Sequence, residues 1–236
     1  MPMETTSFSL LEMFKLGGIF MWPLLAFSIA TISIGLERLV FLLYHNLKMD
    51  DISRKTSDFI AGHDYEGAVE YLTPLVKRRL GARVILAMIK RALPFHNKKA
   101  GQNITFSERP IERAAETEAM ICIGSIEKSF NFLVALGSLS PLTGFLGTVS
   151  GMIGAFKSIA EATEVNAQIV ANGIYEALIT TVCGLVIAIF AMIFHSVFSH
   201  IVDKFAADIE KSSSDLIADI SAEISGQQEM EHNGAA

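Results

Sequence analysis

Glu176 is followed at helical spacing by two hydroxyls, Thr180 and Thr181, at the start of a stretch, Ala177 to Val202, that holds no Asp, Glu, Lys or Arg. If the helix carrying this stretch begins near Asn166, Glu176 lies about 15 Å along it at a rise of 1.5 Å per residue. A carboxylate at that depth in hydrocarbon is costly unless it faces protein or water, and ionisable groups so placed mark ion or proton paths. The hydroxyls of Thr180 and Thr181 can hold water beside the carboxylate. The competing reading is a Glu176 that sits at the interface and is merely solvated.

A second group of residues has shape rather than reactivity. On a wheel of about 100° per residue, Gly137, Ser140, Gly144, Gly147, Thr148, Gly151, Gly154 and Ala155 fall within one arc. Small residues let helix backbones approach closely in lipid, and Gly147 to Gly151 is a GxxxG step. Thr148 is the polar member of the arc, and its plain role would be a hydrogen bond to its own backbone. The helix that carries Glu176 divides likewise, with Leu178, Val182, Leu185, Val186, Ile189 and Ile193 on one half and Gly173, Glu176, Ala177, Thr180, Thr181, Gly184, Ala188 and Ala191 on the other. Gly144, Gly147, Gly151 and Gly184 are the expected packing seam. Three helices are too few to enclose a wet channel, so self-association or a central partner is required.

These residues need membrane helices to position them, and the sequence supplies three uncharged stretches: Leu16 to Leu36, Ser129 to Phe156 and Ala177 to Val202. Each is long enough to cross a hydrocarbon core, which takes about 20 residues. The first is longer than the apolar region of a secretory signal and ends in Glu37-Arg38 without a small-residue cleavage site, so it reads as a retained span. Orientation follows from basic residues, which resist translocation. The segment from Asn46 to Lys128 carries 14 of the 19 Lys and Arg residues, and none lies between Glu161 and Ala171. The expected topology is N-terminus out, long loop in, short loop out, C-terminus in.

The expected fold is an all-α integral membrane protein with three transmembrane helices, the second and third extending far into the cytoplasm. Its divisions are an outer amphipathic segment at 1–15 (Phe8, Leu10, Leu11, Phe14), transmembrane helix 1 at 16–45 and a cytoplasmic helical region at 46–110 broken at Pro74 and Pro94. A long helix at 111–160, an outer loop at 161–168, a second long helix at 169–225 and a disordered tail at 226–236 complete it. The cytoplasmic segment is too short for a large core of its own.

Composition excludes much else. A chain of 236 residues that is 51% hydrophobic and 19% charged, with net charge −6, does not present the basic face of a nucleic-acid binder. Two cysteines and the absence of CxxC, HExxH, GxxxxGK[ST] and GxSxG leave no signature of metal, phosphate or nucleophilic chemistry. The chain is not expected to be an enzyme, and no metal or cofactor is implied. His195 and His200 are five residues apart and share no face suited to a metal pair. Cys122 and Cys183 read as unreactive packing positions. His63 adjoins Asp64, a plausible helix cap, and no chemistry is assigned to it.

The run Ser140-Pro141-Leu142-Thr143-Gly144-Phe145-Leu146-Gly147-Thr148-Val149-Ser150-Gly151-Met152, with Gly173-Ile174-Tyr175-Glu176-Ala177-Leu178-Ile179-Thr180-Thr181-Val182-Cys183-Gly184-Leu185, strongly resembles the MotA/TolQ/ExbB proton-channel family. ExbB and TolQ members are the nearest likeness, and Glu37-Arg38-Leu39, the three spans and the length extend it over nearly the whole chain. The resemblance implies a bacterial inner-membrane protein, a pentamer around a dimer of a single-span ExbD-like or TolR-like partner whose aspartate carries protons beside Thr148 and Thr181. Glu176 matches the family's third-helix glutamate. The implied work is proton-driven rotation of the partner, which energises a TonB-like protein and outer-membrane transport. TolQ-like envelope maintenance, a flagellar-stator-like channel and a non-conducting scaffold are the alternatives. Phe190, where many relatives have proline, and Tyr175, commonly a small residue, depart from the family pattern.

Overall fold

The computed structural model describes residues 17–45, 47–96, 106–161 and 167–234. Among these the chain forms α1 (Met21–Tyr44), α2 (Asp50–Ala61), α3 (Tyr65–Leu75), α4 (Leu80–His96), α5 (Arg109–Glu127), α6 (Phe130–Glu161) and α7 (Ala167–Gly234), with no strand. Three stretches among the described residues are long and apolar enough to cross a membrane: Met21–Tyr44, Arg109–Glu161 and Gly173–Gly226. The protein is an all-α, membrane-embedded chain.

Boundaries differ from the sequence expectation in ways that have local causes. The amphipathic segment expected at 1–15 lies outside the described residues, as do residues 162–166 of the expected outer loop. The second long helix starts at Arg109, with Pro110 in its first turn, where a missing N–H leaves no bond unmade. It is interrupted at Lys128 and Ser129, although Lys128 keeps helical angles of φ −47° and ψ −35°. Helix α7 continues to Gly234, so residues 226–234 are helical where disorder was expected. The Gln227-Gln228-Glu229-Met230-Glu231 run consists of good helix formers. Helices α3 and α4 each end within two residues of their proline, Pro74 and Pro94.

The chain divides into two compact units. The first joins Met1–Glu37 and Ser129–Phe198. Its interior holds Met21 and Leu24 of α1 against Ile179 and Ile187 of α7, with Phe27 and Cys183 beside them. Phe198 stacks on Phe130 and Phe194 at 6.0 Å between ring centroids, and a Cβ at Gly35 would meet the Phe194 ring. The two halves of α7 separate as their side chains require. Leu178, Val182, Leu185, Val186, Ile189 and Ile193 are exposed, whereas Ala177, Thr180, Ala188 and Ala191 are buried.

The second unit joins Arg38–Lys128 and Ser199–Ala236. Ile52 and Ile60 of α2, Leu72 of α3, Ile85, Met88 and Ile89 of α4, and Ile111 and Ile126 of α5 are buried, as are Phe205, Ile209, Leu216, Ile220 and Ile224 of α7. The end of α7 thus supplies apolar surface that the short helices lack by themselves. Asp64 caps α3 by accepting a hydrogen bond from the Gly67 N–H at 2.7 Å. Buried Arg38 donates to the carbonyls of Ile126 at 3.1 Å and Ser125 at 3.4 Å. A guanidinium there answers the unsatisfied carbonyls and negative dipole end of α5. Tyr65 is buried and donates to Glu223 at 2.8 Å. Burial, then that bond and the charge of Glu223, push its phenol above the usual range.

Candidate functional site

Helices α6 and α7 approach along glycine. A Cβ at Gly144 would stand 2.8 Å from the Thr180 carbonyl oxygen and 3.0 Å from the Thr181 Cα. One at Gly184 would stand 2.5 Å from the Ser140 carbonyl oxygen, and one at Gly147 2.5 Å from Thr180 Oγ1. Gly151 faces Ala177, where a Cβ would lie 3.1 Å from the alanine methyl. Close backbone approach therefore explains the residue type at Gly144 and Gly184, while the Thr180 side chain takes the space beside Gly147 and the Ala177 methyl crowds Gly151.

That approach gathers hydroxyls. Thr181 Oγ1, Thr148 Oγ1 and Thr180 Oγ1 all lie within hydrogen-bond reach of the Gly144 carbonyl oxygen, at 3.1, 3.2 and 3.3 Å, and with one proton each they share it with the contacts that follow. Thr148 and Thr181 also share a hydrogen bond across the two helices. Thr180 is buried and donates to the Ala177 carbonyl at 2.7 Å. Its hydroxyl is occupied by backbone, whereas Thr148 and Thr181 remain partly accessible. Thr180 and Thr181, expected to hold water beside the carboxylate, are thus engaged with the Gly144 and Ala177 carbonyls.

Glu176 lies nine residues into α7, so its Cα is about 13 Å from the helix start. It is partly buried and lines a cavity of about 300 Å³ with Gly17, Phe20, Gly147, Ser150 and Gly173. Gly147 belongs to both groups, facing Thr180 and the cavity. The carboxylate makes no hydrogen bond with Thr180 or Thr181; it stands one helical turn from Thr180.

Gly18 holds the other side. Its φ of +64° is a left-handed conformation, and the place of its Cβ is taken by the Glu176 carboxylate. Sequence reasoning did not assign Gly17, Gly18 or Ser150 to the site; the Gly17-Gly18 pair near the start of the first uncharged stretch was the available signal. Of the other expectations, His195 packs its edge on Phe130 with centroids 6.2 Å apart, His200 is exposed, Cys122 is buried and Cys183 partly so. Tyr175 and Phe190 point outward, 40% and 53% exposed.

A carboxylate on a membrane helix, facing a cavity and one turn from exchangeable hydroxyls, is suited to taking up and releasing protons rather than to making or breaking covalent bonds. The sequence pattern of the MotA/TolQ/ExbB proton channel family matches residues 83–211. An ExbB-like biopolymer transport protein of Synechocystis sp. is 32% identical over 210 residues, covering 84% of this chain and 75% of its own. Biopolymer transport protein ExbB of Pseudomonas putida is 35% identical over 95 residues, 40% of this chain and 29% of its own. Tol-Pal system protein TolQ of Pseudomonas aeruginosa is 43% identical over 74 residues, 31% of this chain and 32% of its own. The matched range contains Glu176, the three threonines and all four seam glycines, and the chain belongs to the MotA/TolQ/ExbB proton channel family.

Proposed function

We propose that the protein is the channel-forming subunit of an ExbB-type motor in a bacterial inner membrane, with its N-terminus periplasmic and its C-terminus cytoplasmic. Five copies surround a dimer of a single-span ExbD-like or TolR-like partner. Proton passage at Glu176, Thr148, Thr181 and Thr180 drives that partner and, through a TonB-like protein, outer-membrane transport. The proton is the transported ion; the chain carries out no enzymatic reaction and uses no cofactor. The observation that carries this reading is the placement of Glu176 on a spanning helix, facing the cavity one turn from the hydroxyl cluster.

In this scheme Glu176 alternates between charged and neutral forms as water in the cavity delivers and removes protons. Thr148 and Thr181 offer hydroxyls on the side where two helices meet, and the partner completes the wall. A second reading, a TolQ-like role in envelope integrity, is favoured by the 43% identity with a TolQ protein over 74 residues. Both readings share the proton path and differ in the partner engaged.

The test is proton uptake by vesicles holding the chain co-purified with its single-span partner, with subunit number read by native mass spectrometry. Glu176→Gln should lower flux at least about 10-fold while five-to-two assembly persists, since amide cannot ionise. Glu176→Asp should retain part of the flux. Wild-type flux in an assembled Glu176→Gln complex would sink the proposal and leave a scaffold. Capture of a TolR-like rather than an ExbD-like partner would assign the TolQ role.

A further inference from the structure

Three side chains outside the proton path meet in the unit formed by Arg38–Lys128 and Ser199–Ala236. His63 lies in the turn between α2 and α3, His96 ends α4, and Glu223 is on α7; one ligand atom from each lies within 4.8 Å of the others. His63 Nδ1 is 2.5 Å from Glu223 Oε1, and His96 Nε2 is 3.9 Å from the same oxygen. The Glu223 side chain is 6% exposed, that of His96 19% and that of His63 52%. Tyr65 donates to Glu223 Oε2 at 2.8 Å, which orients Oε1 toward the imidazoles. The Tyr65 ring also packs on His96, with centroids 4.4 Å apart.

We propose that His63, His96 and Glu223 bind a divalent cation of the zinc class, with water in the fourth position. Two imidazoles and one carboxylate suit a borderline ion and not the all-oxygen preference of Mg²⁺ or Ca²⁺. Bonds of about 2.0–2.1 Å in a tetrahedral site place ligand atoms about 3.3 Å apart. To reach that spacing His63 and Glu223 part by about 0.8 Å, His96 and Glu223 close by about 0.6 Å, and the two imidazole nitrogens, within 4.8 Å of each other, close by up to about 1.5 Å. Half-exposed His63 has room to move and leaves an entry path for water and ion.

The surroundings hold the ligands ready. His63 adopts φ 58°, a left-handed conformation in which histidine is enriched among non-glycine residues. Its N–H donates to Ile60 at 3.0 Å and that of Asp64 to Phe59 at 2.9 Å, fixing the turn. The Tyr65 bond to the second carboxylate oxygen is the kind of outer contact that orients a metal ligand and raises affinity. A bound ion ties a turn, a helix end and the distant α7 together, so it stabilises the folded unit by an amount that rises with the logarithm of free-ion concentration above Kd. The rival account is a histidine–glutamate ion pair with no ion.

The untagged full chain in detergent, stripped with a chelator, is titrated with Zn²⁺ against a chromophoric competitor and with Co²⁺ followed by its visible spectrum. One Zn²⁺ per chain, a four-coordinate Co²⁺ spectrum that Zn²⁺ abolishes, and a Zn²⁺-dependent rise in unfolding temperature are expected. His63→Ala, His96→Ala and Glu223→Gln should each lower affinity at least about 10-fold, and Tyr65→Phe about 10-fold. His200→Ala should bind as the parent does. His63→Ala alters a half-exposed side chain, so its helicity should be unchanged and its loss of binding interpretable. Absence of stoichiometric Zn²⁺ binding, or undiminished binding in His63→Ala and His96→Ala, would overturn the site and leave the ion pair only.

Discussion

A methyl group at position 18 meets two obstacles: a backbone φ of +64° and the Glu176 carboxylate, which fills the place of the Cβ. Gly18→Ala should therefore cost about 1–3 kcal/mol and displace the carboxylate. Denaturant unfolding and vesicle flux measured on the same preparation check both; unchanged stability would show that the close contact is not maintained. The opposite outcome is expected at Gly124, inside α5 with nothing within 4 Å of its Cβ position. Gly124→Ala should raise stability by about 0.5–1 kcal/mol, since glycine weakens a helix interior by that amount. At the helix junction, Thr148→Val and Thr181→Val should be non-additive, with a coupling near 1 kcal/mol in a double-mutant cycle. Type and spacing in the sequence single out Glu176 with Thr180 and Thr181, whereas Thr148 stands out only through the family resemblance. Gly18 was not, because its importance depends on a backbone angle and on a neighbour more than 150 positions away in the chain.

The end of α5 is an element whose stability depends on one side chain from outside it. Arg38→Gln should cost about 1.5–3 kcal/mol, the range for hydrogen bonds from charged groups. Arg38→Lys should fall between, because an ammonium keeps the charge but loses the planar fork. Hydrogen exchange of the amides near Ile126, together with unfolding, checks this; equal protection in the parent and Arg38→Gln would remove the capping role. The spans themselves were readable from the absence of charge, and the amphipathic division of α7 from its small and large residues. The interruption at Lys128 and Ser129 carried no glycine or proline to announce it. Helix α7 outlasted its expected end because Gly226 alone, with nothing within 4 Å of its Cβ position, does not stop a run of good helix formers.

Across the whole molecule, the spans keep a broad apolar surface uncovered, including Trp22, Ile29 and Ile32 of α1, Leu142 and Phe145 of α6 and Leu178 and Ile189 of α7. Lipid or other subunits are the natural cover for such surface in a membrane protein. The proposed orientation is tested in cells with Cys122 and Cys183 replaced and one cysteine introduced. A cysteine at exposed Glu161 should react with an impermeant reagent in spheroplasts, and one at exposed Ser107 only after the membrane is opened. The reverse pattern would invert the topology. The second unit was only half legible, since the short helices showed apolar faces but not that residues more than a hundred positions later complete their core.

The uncharged stretches have a further consequence for the surroundings of the protein. Phe130 to Phe156 and Ala177 to Val202 extend about 40 and 39 Å as helices, against a hydrocarbon thickness of about 30 Å. The excess is taken up by tilt, by protein-covered ends or by local thickening of the bilayer. Acyl-chain length is then a physical variable of this protein: short-chain lipids should increase the mismatch and long-chain lipids relieve it.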